Sequence, residues 1–420
     1  MFTLNPLIYT SLIMDRRLNP FAPGAGLQPP ELAGRDQLLA NVTIDLERVL
    51  NGRQTKSLLL LGLRGVGKTV LLNRLVQVAQ GLGFETAKVE APEGGRLPDL
   101  ICPELRRILY GLDLKAGIGS KMRTAVTVLR NFAGTFKVSV GDMDFGLEPS
   151  PGRADTGKLQ QDLPDLFIAI AEAAKERGRA VALFIDEVQY LSKEELAAII
   201  VSCHEIAQRN LPLFFIGAGL PQIAALAGDA KSYAERLFDY PQVGSLNDKA
   251  ALDALVKPIR EAGADITAEA AQKVIQNTQG YPYFIQEWGA QLWNFAPTSP
   301  LTAQQVDDAT ATVITHLDTN FFRVRFDRLT QLQQKYLRAM AELGAGPHKT
   351  GAISAILGVE PGAVATSRQQ LIDKGMVWSQ RHGETAFTVP MFDEFLKRQM
   401  PDLEKHVPRP RTQTQRPSAR

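Results

Sequence analysis

Eight consecutive residues, Gly62-Leu63-Arg64-Gly65-Val66-Gly67-Lys68-Thr69, combine the features needed to hold a chain of phosphates. Glycines let successive backbone N–H groups turn inward, and a helix starting directly after them adds positive potential. In the pattern Gly-x4-Gly-Lys-Ser/Thr the lysine, here Lys68, reaches the β- and γ-phosphates, and the hydroxyl, here Thr69, binds magnesium. The expected nucleotide contacts are therefore Gly62, Leu63, Arg64, Gly65, Val66, Gly67, Lys68, Thr69 and Val70. For Arg64 an alternative is simple solvation in an exposed loop. A second constellation, Asp186-Glu187, closes the apolar run Ala182-Leu183-Phe184-Ile185. A strand ending in two acids delivers one carboxylate to a magnesium shell, Asp186, and leaves the other, Glu187, to orient an attacking water. Acids at a strand end also serve as helix caps; it is their pairing with the glycine-rich loop that points to ATP with Mg2+ and to hydrolysis. No Ser/His/Asp triad or metal-ligand cluster stands out, and the five histidines are scattered.

These residues need a scaffold. Residues 57–61 are a short apolar run suited to a buried parallel strand that feeds the loop. Val70, Leu71, Leu72, Leu75, Val76 and Ala79 then supply one apolar face of a helix. A strand at 84–90 follows, and further on a helix at 162–177, a buried strand at 181–185, the capping box Ser192-x-x-Glu195 and a strand at 211–216. Alternation of strands and helices predicts an α/β parallel sheet. Residues 92–160 fit it poorly: helical pieces near 98–110 and 121–131, then an alternating segment at 136–145 turning at Gly141-Asp142. They read as an insertion of unknown role.

After Pro241 the chain becomes helical, with segments at 248–262 kinked at Pro258, at 268–278, from Pro282, and from the cap Thr302-x-x-Gln305. Residues 326–400 form a pattern of their own. Thr330-x-x-Gln333 caps a first helix, 351–357 make a second, and a third runs from Pro361 to Gly375. Strands at 376–380 and 385–389 follow, joined at His382-Gly383-Glu384. Three helices and a hairpin in that order describe a winged helix-turn-helix.

Charge separates the same regions. Residues 321–420 hold 16 Lys+Arg against 9 Asp+Glu, whereas 1–320 hold 31 against 36. A basic C-terminal third attracts polyanions, although part of the excess lies in the acid-free arginines of the last residues. Two cysteines, Cys102 and Cys203, exclude a disulfide scaffold and suit a reducing compartment. No apolar run approaches the roughly 20 residues that span a bilayer, and residues 2–14 make a poor signal peptide. A cytoplasmic protein without a membrane partner is the expectation.

Gly34-Arg35-Asp36, the two phosphate-site motifs, and a helical region leading into a winged helix resemble the AAA+ superfamily. More narrowly they resemble its archaeal-type and origin-recognition-like ATPases, which border on the STAND switch ATPases. The resemblance covers about residues 30–400. It implies an α/β P-loop NTPase core with a helical lid and a C-terminal winged helix-turn-helix. The corresponding division is an extended lead-in at 1–30, a nucleotide-binding domain at 31–240, a lid at 241–300, a linker helix at 301–325, the winged helix at 326–400 and a disordered basic tail at 401–420. The adenine pocket would involve residues 32–35 and the lid. Pro282, in Gly280-Tyr281-Pro282, would contact the nucleotide, a role compatible with its simply opening a helix. Arg236 would act as a catalytic arginine finger across a homo-oligomer interface, unless it only makes a surface ion pair.

Two departures from that family matter. The sensor-1 position reads Gly217-Ala218-Gly219, with no polar side chain, and Tyr283 and Phe284 stand where a sensor-2 arginine would be. Slow hydrolysis, with ATP acting chiefly as a conformational signal, is the expectation. On the winged helix, Thr366, Arg368, Gln369, Gln370 and Lys374 would face double-stranded DNA and Arg381 would reach a phosphate. The alternative is a signalling ATPase whose winged helix binds a protein.

Overall fold

The structure, a computed structural model, describes residues 13–24, 26–113, 119–139, 152–379, 381 and 383–402. The turn expected at Gly141-Asp142, His382, and the tail beyond 402 lie outside the described residues. Two compact units emerge, Ala22–Pro258 on one side and, on the other, the described residues up to Phe21 together with those from Ile259 onward.

The first unit opens with α1 (Asp36–Leu50), β1 (Ser57–Leu61), α2 (Lys68–Gly81) and β2 (Glu85–Glu90). Then come α3 (Leu97–Asp113), α4 (Ser120–Thr135), α5 (Leu159–Glu176), β3 (Val181–Asp186), α6 (Lys193–Gln208) and β4 (Leu213–Gly219). It closes with α7 (Ile223–Ala230), α8 (Ala234–Leu237), β5 (Phe238–Asp239) and the start of α9 (Asp248–Glu261). The strands form one parallel sheet in the order β2-β3-β4-β1-β5. Every residue of β1, β3 and β4 is buried. Both faces of the sheet are covered, so these strands are apolar throughout rather than alternating. Leu59, Leu61, Leu183, Ile185, Leu213 and Phe215 join one core with α3 to α6. Their neighbours Leu58, Leu60, Phe184 and Phe214 are buried on the opposite face, where α1 and α2 lie against the sheet.

The segment read as an insertion is part of this core. Leu97, Ile101, Leu105 and Leu109 of α3, and Met122, Val126, Leu129 and Phe132 of α4, are all buried in the same cluster as α5 and α6. The Leu97 N–H donates to Glu195 Oε1 at 2.6 Å, so the acid of the Ser192 capping box also holds the start of α3. The free thiols Cys102 and Cys203 are both buried, and burial pushes each up to about 12.

The second unit contains α10 (Ala268–Thr278), α11 (Pro282–Phe295) and α12 (Ala303–Leu317), then a wide helical turn Asp318–Phe322 and the short α13 (Arg323–Phe326). It continues with α14 (Gln331–Glu342), β6 (His348–Lys349), α15 (Thr350–Leu357), α16 (Ala365–Asp373), β7 (Val377–Trp378), β8 (Glu384–Phe387) and α17 (Phe392–Gln399). The three short strands pair antiparallel in the order β6-β8-β7. Two features of this unit exceed the sequence reading. Residues 15–21 do not merely extend: Trp293 Nε1 donates to Asp15 O at 2.8 Å, and the Phe21 ring lies against Gly289 of α11. An unexpected helix, α17, stacks Phe395 on Phe322 with ring centroids 5.3 Å apart, and Phe392 on Phe395 at 5.6 Å. Buried aromatic rings of this kind each contribute about 1.5–3 kcal/mol, which is why an eight-residue helix persists there. Among the described residues no helix is long and apolar enough to cross a membrane.

Candidate functional site: a phosphate nest facing two acids

The parallel sheet brings the tips of β1, β3 and β4 side by side. Leu61 pairs with Gly219, and Ile185 with Gly217. The loop after β1 therefore opens beside the acids after β3, in the crevice at the carboxyl ends of the strands. Gly65 and Gly67 adopt φ of 79° and 90°, a left-handed backbone that lets N–H groups converge and that a side chain would oppose. The Gly62 N–H donates to Gly219 O at 3.1 Å, tying the loop to the neighbouring strand.

Lys68 opens α2 and is 5% exposed. Its ammonium donates to Leu63 O at 2.8 Å, folded back onto the loop. Burial pushes Lys68 below its ordinary pKa; Glu187 and Asp186 oppose the fall and Arg64 adds to it. Asp186 is 1% exposed. Burial raises its pKa and Glu187 adds to the rise, while the nearby Thr69 hydroxyl and the Glu187 N–H, which donates to Asp186 Oδ1 at 2.9 Å, pull the other way. Thr69 thus lies close to Asp186, and these are the two groups that a divalent cation would share. A buried carboxylate with so little compensation fits a cation in the same place. The segment before α1 passes beside this pair, since a side chain on Gly26 would meet the Thr69 methyl at 3.5 Å.

Arg64 is half-buried, and its guanidinium donates to Tyr190 OH at 2.7 Å. It is fixed to the turn behind the acids rather than merely solvated. Arg35 donates to Gly244 O at 2.5 Å and Val66 O at 3.3 Å, so it buttresses the loop from behind. Gln189, not singled out in the sequence, donates its amide to the Glu187 carboxylate. Val70 lies in the first turn of α2. Arg236 in α8 is exposed and makes no ion pair among the described residues. Pro282 occupies the first position of α11 in the other unit. In that unit Tyr283 stacks on Phe321 at 4.5 Å and Phe284 is fully buried, so both aromatics serve packing.

The residues expected at DNA divide into two groups. Thr366, Gln369, Gln370 and Arg381 are exposed, although Gln369 also donates to Asp373 Oδ1. Arg368 is spent elsewhere: it donates to Thr385 Oγ1 at 2.8 Å and to Ser379 Oγ and Glu384 O at 2.9 Å each. It binds α16 to the β7–β8 hairpin instead of facing outward. Lys374 donates to Arg328 O and Gln333 Oε1, and Gln370 accepts from Gln333 Nε2 at 2.9 Å. These three contacts set the seat of α16 against the start of α14. Partners this distant in sequence leave no local signal.

Residues 31–216 match the model of the AAA ATPase domain, and residues 319–396 that of a domain of unknown function (DUF8462). No curated protein matches the sequence. Among solved structures the chain is similar to the Walker-type ATPase PABY2304 of Pyrococcus abyssi. The two are 15% identical with a TM-score of 0.58, over 90% of this chain and 99% of that one. It is likewise similar to the ORC2 protein of Aeropyrum pernix in its ADP form, 15% identical with a TM-score of 0.50, over 93% and 100% of the respective chains. At such identity the likeness is one of fold. Together with the loop and acids just described, the match shows that residues 31–216 form an AAA ATPase domain, in a chain with the fold of the P-loop ATPases.

Proposed function

We propose that the protein is a nucleotide-switched, DNA-binding ATPase that uses magnesium and hydrolyses ATP slowly. The observation that carries the nucleotide half is the burial of Lys68 and of the Asp186 carboxylate side by side at the carboxyl ends of β1 and β3, with Thr69 close enough to lower the Asp186 pKa. It supports a metal site shared by the loop and the β3 acids, with Lys68 beside it. Magnesium, when bound there, would neutralise charge on the phosphates. The residues of the chain do the rest. The turned N–H groups of 62–67 hold the phosphates, Lys68 reaches the terminal ones, and Glu187 orients the water. Slow turnover is expected because residues 217–219 offer no polar side chain to that water.

The DNA half is supported by element order and charge. The succession α14, β6, α15, α16, β7, β8 is that of a winged helix, and the region from 321 onward carries the basic excess. Thr366 and Gln369 would meet base edges and Arg381 a phosphate. With Arg368 and Lys374 engaged internally, sequence-independent attraction falls to Arg381 and neighbouring basic residues. Arg236, exposed and without an ion pair among the described residues, suits an arginine finger acting on a second copy of the chain. Titration of a labelled duplex at low and moderate salt tests the DNA reading. Binding that weakens steeply with salt is the expected outcome. Negligible retention at low salt would shift the function to a signalling ATPase whose C-terminal module binds protein. Size measurement with ATP, with ADP and without nucleotide tests the finger; a constant monomer counts against it.

A further inference from the structure

One side chain stands between the β3 acids and the tip of β4 without a role in the account above. Gln189 lies in the helical turn Val188–Tyr190, directly after Glu187. Its amide nitrogen donates to Glu187 Oε2. Its carbonyl oxygen accepts the N–H of Leu220, the fully buried residue that follows β4, at 3.1 Å. A single amide thus bridges a carboxylate that can only accept and a backbone N–H that can only donate. No other neutral side chain of this length meets both demands.

The strand tip is shaped to admit it. A side chain on Gly219 would place its first carbon 2.5 Å from Gln189 Oε1 and 2.2 Å from Ile223 Cδ1, closer than such atoms approach. The same Gly219 accepts the N–H of Gly62 through its carbonyl. The tip that grips Gln189 therefore also holds the first residue of the phosphate loop. Glu187 itself has φ of 53°, a left-handed conformation that a non-glycine residue keeps only when its surroundings over-determine it. Glu187 and Lys68 lie close enough to influence one another electrostatically.

We infer that Gln189 is a positioning residue for Glu187: it holds the carboxylate toward the phosphate nest and locks its place to the tip of β4. This rests on Glu187 being the group that orients water. It also explains how a strand tip reading Gly217-Ala218-Gly219 still takes part in the site. The polar reach comes from the adjacent turn, and the glycine makes room for it.

The test uses the full chain with Gln189→Met and Gln189→Glu, both close to glutamine in length, beside Glu187→Gln. Turnover at saturating ATP and magnesium is measured with ATP affinity and thermal melting in parallel. Gln189→Met is expected to lower kcat about 10- to 100-fold while ATP affinity stays within about twofold, since no phosphate contact is removed. Gln189→Glu keeps the length but cannot donate to the carboxylate and repels it; it should lower kcat likewise at unchanged ATP affinity, and it decides the matter if the methionine variant does not fold. Wild-type kcat in both variants would overturn the inference, as would a rise in kcat, which would make Gln189 a restraint. If Glu187→Gln retains the wild-type rate, the assignment of Glu187 fails and the inference with it. If Glu187→Gln is inactive and the Gln189 variants are normal, only the positioning role is lost.

Discussion

The phosphate nest and the face of α16 both gather polar side chains, yet they treat them in opposite ways. At the nest, Lys68 and Asp186 are buried with few partners among the described residues: one loop carbonyl for the ammonium and one N–H for the carboxylate. On α16, Arg368 makes three hydrogen bonds, and Lys374 and Gln370 share Gln333. A buried charge kept short of partners costs stability and keeps its interaction capacity for a ligand. A cation saturated by its own fold contributes stability and has little left for a partner. Residue type alone does not separate these cases; the hydrogen-bond ledger does.

The strongest way to break this contrast is Lys68→Ala. If the ammonium is reserved for phosphate, its removal should weaken ATP binding about 100-fold, or ~3 kcal/mol, with little loss of melting temperature. Calorimetric titration with ATP and magnesium measures it. An unchanged affinity accompanied by a large loss of stability would put Lys68 in the same class as Arg368.

The reciprocal experiment is Arg368→Ala beside Arg381→Ala. The first removes three hydrogen bonds, one of them to the fully buried Thr385, and should destabilise the second unit by about 2 kcal/mol. The second removes an exposed arginine and should leave stability within about 0.5 kcal/mol. If duplex binding occurs, Arg381→Ala should reduce its salt slope by about one. Denaturant titration and duplex titration across salt together read both. Equal stability in the two variants would mean that the bonds of Arg368 contribute nothing to the hairpin.

The contrast also explains what the sequence discloses. The glycine-rich loop and the two acids are legible because their chemistry is contiguous: eight residues in one place and two in another. The capping boxes at Ser192, Thr302 and Thr330 are legible for the same reason, since each closes within four residues, and all three form. So are α10 and β1, where local apolar spacing coincides with burial. What escapes depends on partners far along the chain. Arg368 reads as a free cation because Thr385 and Ser379 are not its neighbours in sequence. Helix α17 follows Pro390 with too few residues to announce itself, and it is stabilised by Phe322, some seventy positions earlier. Residues 92–160 read as an insertion because the surfaces that α3 and α4 cover belong to β2 and α5. Gln189 leaves only a faint signal, a glutamine three residues after Asp186 opposite a strand tip of glycines.

The finest discrimination comes from Asp186→Asn. Asparagine keeps the shape and can still accept from the Glu187 N–H through Oδ1, but it removes a buried charge beside another acid. Because burial raises the Asp186 pKa, the folded protein holds this proton more tightly than the unfolded chain. The ionised carboxylate therefore costs stability, a cost absent in acid, growing as pH rises from the ordinary carboxylate value through the folded one, and constant above that. Without nucleotide, Asp186→Asn should then be more stable than the parent by about 1 kcal/mol at neutral pH, with the gain vanishing in acid. Magnesium-dependent nucleotide affinity should fall in the same variant. Melting curves across pH, with and without magnesium and ATP, separate the two effects. A variant less stable than the parent at neutral pH would mean that the Asp186 charge is already compensated by its own fold, and the nest would lose the property that sets it apart from α16.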